Sequence, residues 1–235
     1  MKIAIDVMGG DYAPDAAIDG AISFIKKNPE INISIILLGL EKNINSYLNT
    51  LSLNNYILKQ ISIIHCPQIV TMDDRPSRIL RDKPNSSLIK AIELVKNKEA
   101  DAIISAGNTG ALLISSLLLL GKIKGIRRPA FAPFIPTIAG GFIICDAGAN
   151  VDAKPKHLLQ FALMASAYIE HLKNIKKVKV GLLNIGKEEN KGNDLYKEGY
   201  KLLKENLNNF YGNIEARYIQ DGLVDVVVCD GFTGN

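Results

Sequence analysis

Seven short runs of β-branched and aliphatic residues limit what this chain can become: 2–7, 33–38, 61–65, 101–105, 141–145, 178–183 and 224–229. Most are nearly continuous in apolar character rather than alternating, the pattern of strands covered on both faces. Between them lie amphipathic helical periods at 14–27, 41–52, 86–98, 155–172 and 193–206, with Pro14 and Pro155 where a first helical turn tolerates proline. Strand and helix in alternation predict a doubly wound, mainly parallel sheet. Residues 126–140, IRRPAFAPFIPTIAG, break the rhythm and predict an extended segment and a loop. No linker rich in Gly, Ser or charge divides the chain, so the expectation is one α/β domain over 1–235.

Residues 102–121 carry no charge over twenty positions, long enough to suggest a membrane span. Their middle, Ser105-Ala106-Gly107-Asn108-Thr109-Gly110, is a polar glycine turn that would leave backbone groups unsatisfied in lipid. A buried strand, a turn and a buried helix from Ala111 fit better. The net charge of +4 is spread over scattered lysines and gives no reason to expect nucleic acid. Cys66, Cys145 and Cys229 are far apart and form no CxxC, which points to reduced thiols in the cytoplasm.

Several constellations are excluded. No GxGxxG or GxSxG occurs, and His65, His157 and His171 make no metal spacing with the cysteines. Gly181 to Lys187 matches GxxxxGK, but Glu188 holds the Ser/Thr position and Gly181 lies inside a strand, so no P-loop forms.

The turns after the strands carry the chemistry. Ligands of open α/β sheets collect beyond the carboxyl ends of the strands, where glycines admit anions to backbone N–H groups. Here those ends read Asp6-Val-Met-Gly-Gly-Asp11, Ala106-Gly107-Asn108-Thr109-Gly110, Asp146 to Pro155, and Asn184 to Asn193. Turns of this kind also occur for packing alone; four on one rim argue for a ligand. An internal echo points to the same places: Asp101 to Gly110 aligns without gaps to Asp225 to Gly234, each a strand entering Gly-x-Thr-Gly. In the second copy the chain stops at Asn235, with no crossover helix expected behind the turn. Separately, Arg75, Arg78 and Arg81 are spaced to share one face of a short helix, either for an anionic partner or as a solvated face paired with Asp73, Asp74 and Asp82.

These motifs together resemble the bacterial phosphate acyltransferase family, the acyl-[acyl carrier protein]:phosphate acyltransferases of phospholipid synthesis. The resemblance runs in order through IAIDVMGGD, MDDRPSRILRDKPNSS, DAIISAGNTGALL, RRPAFAPFIPT, GGFIICDAGANVDAKPKHLLQFA, VGLLNIGKEENKGN and GNIEARYIQDGLVDVVVCDGFTGN. It implies a three-layer α/β/α sandwich similar to the isocitrate dehydrogenase-like and phosphotransacetylase folds. A cytoplasmic homodimer is implied too, attached peripherally to the membrane. The implied reaction moves a long-chain acyl group from acyl carrier protein to inorganic phosphate, without metal, nucleotide or redox cofactor, and a membrane glycerol-3-phosphate acyltransferase then uses the acyl phosphate. A short-chain phosphate acetyl- or butyryltransferase using coenzyme A is the alternative within the fold, and a non-catalytic binding remnant the alternative outside it. Such relatives run past the GFTGN loop, so the expectation is a chain cut within its last active-site loop.

The chain departs from the family pattern at four positions. Tyr12 stands where many relatives have His, which removes a general base there, and Lys156, Lys187 and Tyr218 replace residues that are commonly acidic or small. Phosphate is already an anionic nucleophile, so the protein must place it beside the thioester and stabilise the oxyanion. On this resemblance Lys191, with Gly192 and Asn193, is the first choice for phosphate and Lys154 the second. Asn108, with Gly107, Thr109 and Gly110, is the choice for the oxyanion. Asp11 and Asp146 are expected to orient lysines and amides, Asn150 and Asn235 to complete the rim, and Arg75, Arg78 and Arg81 to receive the carrier protein. The apolar helix at 111–120 or residues 131–138 could dock the acyl chain, although core packing is the stronger expectation for 111–120.

Overall fold

The computed structural model describes all 235 residues as two compact units, residues 1–121 and 122–235, each built on its own sheet. The sequence predicts a single domain because the change of unit falls at Gly121-Lys122, in a short turn without linker composition.

The first unit has four parallel strands, β1 (Lys2–Asp6), β2 (Ser34–Gly39), β3 (Ile61–His65) and β4 (Ala102–Ser105), in the order β3-β2-β1-β4. The apolar runs face both ways. Ile3, Ile5, Ile35 and Leu37 pack with Ile18, Ile22 and Ile25 of α1 (Asp15–Lys27), beside α2 (Glu41–Leu48) and α3 (Asn55–Leu58). Ala4, Ile36 and Leu38 of the opposite face pack with Ala91 of α5 (Ser87–Lys96), which follows the one-turn α4 (Ile79–Asp82). In α1 the buried positions recur at helical spacing, with Asp15 in the first turn and Lys26 and Lys27 in the last, as the helix dipole favours.

After β4 the chain enters α6 (Thr109–Leu120), in which only Ala111 and Ser115 are buried while Leu118 and Leu120 are exposed. Core packing therefore does not account for the whole of this helix. The arginine segment also differs from expectation: Arg75 is extended, Pro76–Arg78 form a 3₁₀ turn, and α4 begins only at Ile79. The proline opens the tighter turn, so the three arginines do not share one regular helix.

In the second unit, β5 (Phe134–Ile135) runs antiparallel to β6 (Phe142–Cys145), and β7 (Val180–Asn184), β8 (Phe210–Glu215) and β9 (Val226–Val228) are parallel to β6, in the order β5-β6-β9-β7-β8. One face is covered by α7 (Pro155–Lys173) and α8 (Asp194–Asn206) through Leu158, Phe161, Ala165, Tyr196, Tyr200 and Leu203. A Cβ at Gly199 would lie 2.7 Å from Leu158 Cδ1, so the closeness of these helices depends on that glycine. Tyr218, Ile219 and Leu223 of the β8–β9 connection pack on the other face. After β9 comes a single helical turn, α9 (Gly231–Gly234), where the sequence predicts a bare glycine turn. No helix is long and apolar enough to cross a membrane.

Candidate active-site rims

The first unit places its glycine loops at the topological switch point. From β1 the chain winds to β2 and β3, then returns to β4 on the other side of β1. At that crevice Ser105 donates its hydroxyl to Asp6 at 2.8 Å and accepts the Gly107 N–H at 3.1 Å, while Asp6 also accepts Met8 N–H. A Cβ on Gly9 would sit 2.6 Å from the Gly107 nitrogen, so the two turns touch backbone to backbone. Asp11 and Tyr12 are exposed at the edge of this crevice. Beside it an apolar groove of about 610 Å³ runs between α1 and the sheet, lined by Ile3, Ile5, Gly20, Phe24, Ile35 and Ile104.

Asn108 is buried, and its side chain is fully committed. Its Oδ1 accepts Ala111 N–H at 3.0 Å and so caps α6, while its Nδ2 donates to the Thr71, Met72 and Asp74 carbonyls, each at 3.2 Å. That loop is fixed in turn by Asp74, which accepts Lys83 and both the amide and the hydroxyl of Thr71. The Lys83 ammonium, followed by the Thr71 amide, holds the Asp74 carboxyl below the usual carboxylate range. In this geometry the Asn108 side chain joins the 71–74 loop to the start of α6. It sets the α6 N-terminus, where the first-turn amides of Thr109 and Gly110 begin a helix of twelve residues. Arg75, Arg78 and Arg81 are exposed, and Arg81 pairs with Asp82.

In the second unit the corresponding knot is Asp146, which is fully buried. It accepts the N–H groups of Phe131 (2.8 Å), Ala149 (3.2 Å) and Asn150 (2.6 Å), and the Asn150 amide at 2.8 Å. Asn150 also donates to the Pro129 carbonyl. The turn after β9 lies on this loop: Gly231 N–H donates to the Asn150 carbonyl at 2.9 Å, and a Cβ on Gly231 would come within 2.7 Å of the Asn150 nitrogen. A Cβ on Gly234 would overlap the Asp146 carbonyl, and the Asn235 side chain lies over Gly148.

Asp230, a residue the sequence reading did not single out, organises this turn. Its carboxylate accepts Phe232 N–H, Thr233 N–H, the Thr233 hydroxyl and the Tyr196 hydroxyl. Burial pushes its pKa up, but the hydroxyl donors and then the amides outweigh burial and hold it below the ordinary value. A signal was available: Asp two and three positions ahead of backbone donors, with a Thr at the third, is a helix-capping pattern.

Lys191, Gly192 and Asn193 lie together where the β7 loop enters α8. Asn193 caps that helix by accepting Tyr196 N–H at 3.2 Å. Asn184 donates to the Lys191 carbonyl and to buried Asn213, and a Cβ at Gly192 would lie 2.8 Å from Asn184 Oδ1. Lys191 is exposed and only loosely paired, 4.0 Å from Glu188. Gly181 lies within β7, as expected of a glycine that cannot start a P-loop.

Lys154 is exposed at the N-cap of α7, and its N–H donates to His157 Nδ1 at 3.1 Å. Burial, then Arg128, Arg127 and Lys154, push the His157 pKa down, so the ring is neutral as this bond requires. All three cysteines are buried; burial raises Cys66 to about 11 and Cys229 to about 12, and Cys145 further still. None is an accessible thiolate. Lys187 Nζ stands 4.6 Å from the centroid of the Tyr218 ring, with the Arg217 guanidinium carbon 4.9 Å from it.

Comparison with known proteins gives a consistent picture. A family model described as "Fatty acid synthesis protein" matches residues 1–235. The chain is 49% identical over 236 residues to a phosphate acyltransferase of Oceanobacillus iheyensis, covering all of this chain and 68% of the relative. It is 50% identical to that of Alkaliphilus oremlandii and 47% identical to that of Bacillus subtilis, covering 68% and 69% of them. Among solved structures, the EutD phosphotransacetylase from Staphylococcus aureus superposes with a TM-score of 0.69 at 18% identity, over all of this chain and 79% of that one. A branched-chain phosphotransacylase from Enterococcus faecalis gives 0.63 at 16%, over all of this chain and 81% of that one. These two likenesses support the expected mainly parallel α/β/α architecture.

Proposed function

This chain belongs to the phosphate acyltransferase family, and on that premise we propose that it transfers a long-chain acyl group from acyl carrier protein to inorganic phosphate. The observation that carries the reading is family membership across the whole chain, and the chemistry of the rims accords with it. A phosphate oxygen forms the new bond to the thioester carbonyl carbon, the carbon–sulfur bond breaks, and the sulfur leaves as a thiolate that takes up a proton. Because phosphate supplies the nucleophile, the protein needs no serine or cysteine for the attack, in keeping with the buried, protonated thiols.

In the second unit Lys191, with the Gly192 and Asn193 backbone at the start of α8, is the proposed phosphate site, and exposed Lys154 at the start of α7 is a second cation for it. In the first unit the Thr109 and Gly110 amides at the start of α6 are proposed to stabilise negative charge. Gly107 and Asn108 shape that turn, and Asp11 borders it. Asp146, Asn150 and Asn235 hold the second rim in shape. The protein is proposed to act in the cytoplasm as a homodimer and to hand its acyl phosphate to a membrane acyltransferase.

The test supplies palmitoyl-[acyl carrier protein] or butyryl-coenzyme A together with phosphate, and follows acyl phosphate formation. Preference for the carrier thioester supports the reading; preference for the short coenzyme A ester replaces it with the short-chain activity. Lys191→Ala is expected to raise the phosphate KM about tenfold, the loss of one charge-assisted contact. Turnover with an unchanged phosphate KM would remove Lys191 from the site.

A further inference from the structure

Positive charge is dense around the N-terminus of α7 in the second unit. Segments 122–128 and 150–157 carry Lys122, Lys124, Arg127, Arg128, Lys154 and Lys156 against one carboxylate, Asp152, whereas the whole chain has a net charge of only +4. The segments are also joined in space. Gln160 accepts Arg127 N–H at 2.9 Å and donates to the Gly125 carbonyl at 2.8 Å, which straps the 122–128 loop to α7. Lys156 precedes Gln160 by one helical turn and so shares its side of α7. Asp152 is bound bidentately by Arg128, which leaves Lys122, Lys124, Arg127, Lys154 and Lys156 exposed without an ion-pair partner. The field of Arg128, Arg127 and Lys154 reaches buried His157 and adds to the effect of burial in keeping that ring neutral.

We propose that this strapped basic surface at the N-terminus of α7 is where an acidic carrier protein docks. The proposal deepens the functional reading above and rests on it, because a thioester presented on a protein needs a landing surface beside the rim. This surface borders the rim loop directly, through Asp146 to Lys154. Its charge complements an acidic partner, and the strap holds the backbone of the 122–128 loop in place before the encounter, so little backbone ordering opposes binding. Exposed Ile123 and Val151 add two apolar points among the cations, which suits an acidic protein helix and is too little apolar surface to enter a bilayer. The Arg75, Arg78 and Arg81 segment is the weaker choice: Arg81 is already paired with Asp82, and Asp73, Asp74 and Asp82 flank it.

The test is the triple variant Lys124→Glu, Arg127→Glu and Lys156→Glu, all at exposed positions outside the rim, with thermal unfolding as the check of the fold. Titration of acyl carrier protein by calorimetry reads the surface without turnover. Binding is expected to weaken about tenfold or more at low salt, with wild type and variant converging near about 0.5 M salt. The KM for palmitoyl-[acyl carrier protein] should rise in step, while palmitoyl-pantetheine and phosphate keep theirs. Unchanged carrier binding would overturn the proposal, as would an equal loss with palmitoyl-pantetheine. Loss of binding to phosphatidylglycerol vesicles with carrier binding intact would overturn it in favour of a membrane surface. A wild-type protein that binds the carrier through this surface yet forms no acyl phosphate would leave the docking site standing and sink the functional reading instead.

Discussion

Tyr196 donates its hydroxyl to Asp230 at 2.5 Å, linking the first turn of α8 to the loop that follows β9. Both residues are buried, and burial followed by the Asp230 contact raises the tyrosine pKa well above its ordinary value. Removing the hydroxyl leaves a buried carboxylate short of one donor. Tyr196→Phe is expected to cost about 1.5–3 kcal/mol in chemical denaturation, because the bond is to a charged group. A loss under about 0.5 kcal/mol would mean that the remaining donors suffice.

His157 predicts how stability depends on pH. Its pKa is depressed in the folded chain, so the unfolded chain binds the proton more readily. Its contribution is therefore complete above about 6.5, the ordinary histidine value, and declines as pH falls below it, by at most about 1.4 kcal/mol per pH unit. Denaturation midpoints from pH 7.5 down to 5.5 should show this decline, and His157→Leu should flatten it. An identical slope in the variant would assign the effect to other groups.

Gly20 lies in the middle of α1, exposed, and a Cβ built there meets nothing within 4 Å. No packing requires the glycine, so Gly20→Ala should stabilise the protein by about 0.5–1 kcal/mol through helix propensity alone. A lower melting temperature would show that the groove beside it tolerates no methyl group.

Gly231 is the opposite case, since a methyl there would press on the Asn150 nitrogen and the Asp146 carboxylate. Gly231→Ala is expected to cost about 1–3 kcal/mol by overpacking. If the functional reading holds, it should lower kcat more than stability predicts, because it displaces the loop after β6. Normal turnover in a folded variant would separate this loop from catalysis.

The Lys187 ammonium lies over the Tyr218 ring, 4.6 Å from its centroid. A double-mutant cycle with Lys187→Ala and Tyr218→Ala should give a coupling of about 0.5–1 kcal/mol, the range of an exposed cation–π contact. Additive losses would mean that the cation and the ring do not interact energetically.

The elements most legible in the sequence are those buried on both faces. Each of the seven apolar runs overlaps a strand, because continuous Ile, Leu and Val admit few other fates. β8 was not legible: Phe210–Glu215 contains Gly212 and polar Asn213, and Asn213 is buried only because Asn184 and the Glu188 carbonyl satisfy its amide. The rims were legible as places more than as roles. Asn108 reads as a donor for substrate, yet its amide closes three carbonyls of a loop more than thirty residues away, a contact no local pattern announces. The two sheets read as one because the chain changes unit without changing composition.

The echoed strands show what this architecture holds constant. At the foot of β4, Asp101 accepts the Lys2 N–H at 2.7 Å; before β9, Asp225 accepts the Lys179 N–H at 2.8 Å. At the other end, Gly107 abuts Gly9 and Gly231 abuts Asn150. Each strand is thus pinned at foot and tip, and a slip of one residue would break both fastenings and turn its side chains to the wrong face. The loop tips inherit their height from these fastenings, so their sequences can drift toward new ligands while the backbone amides stay in place.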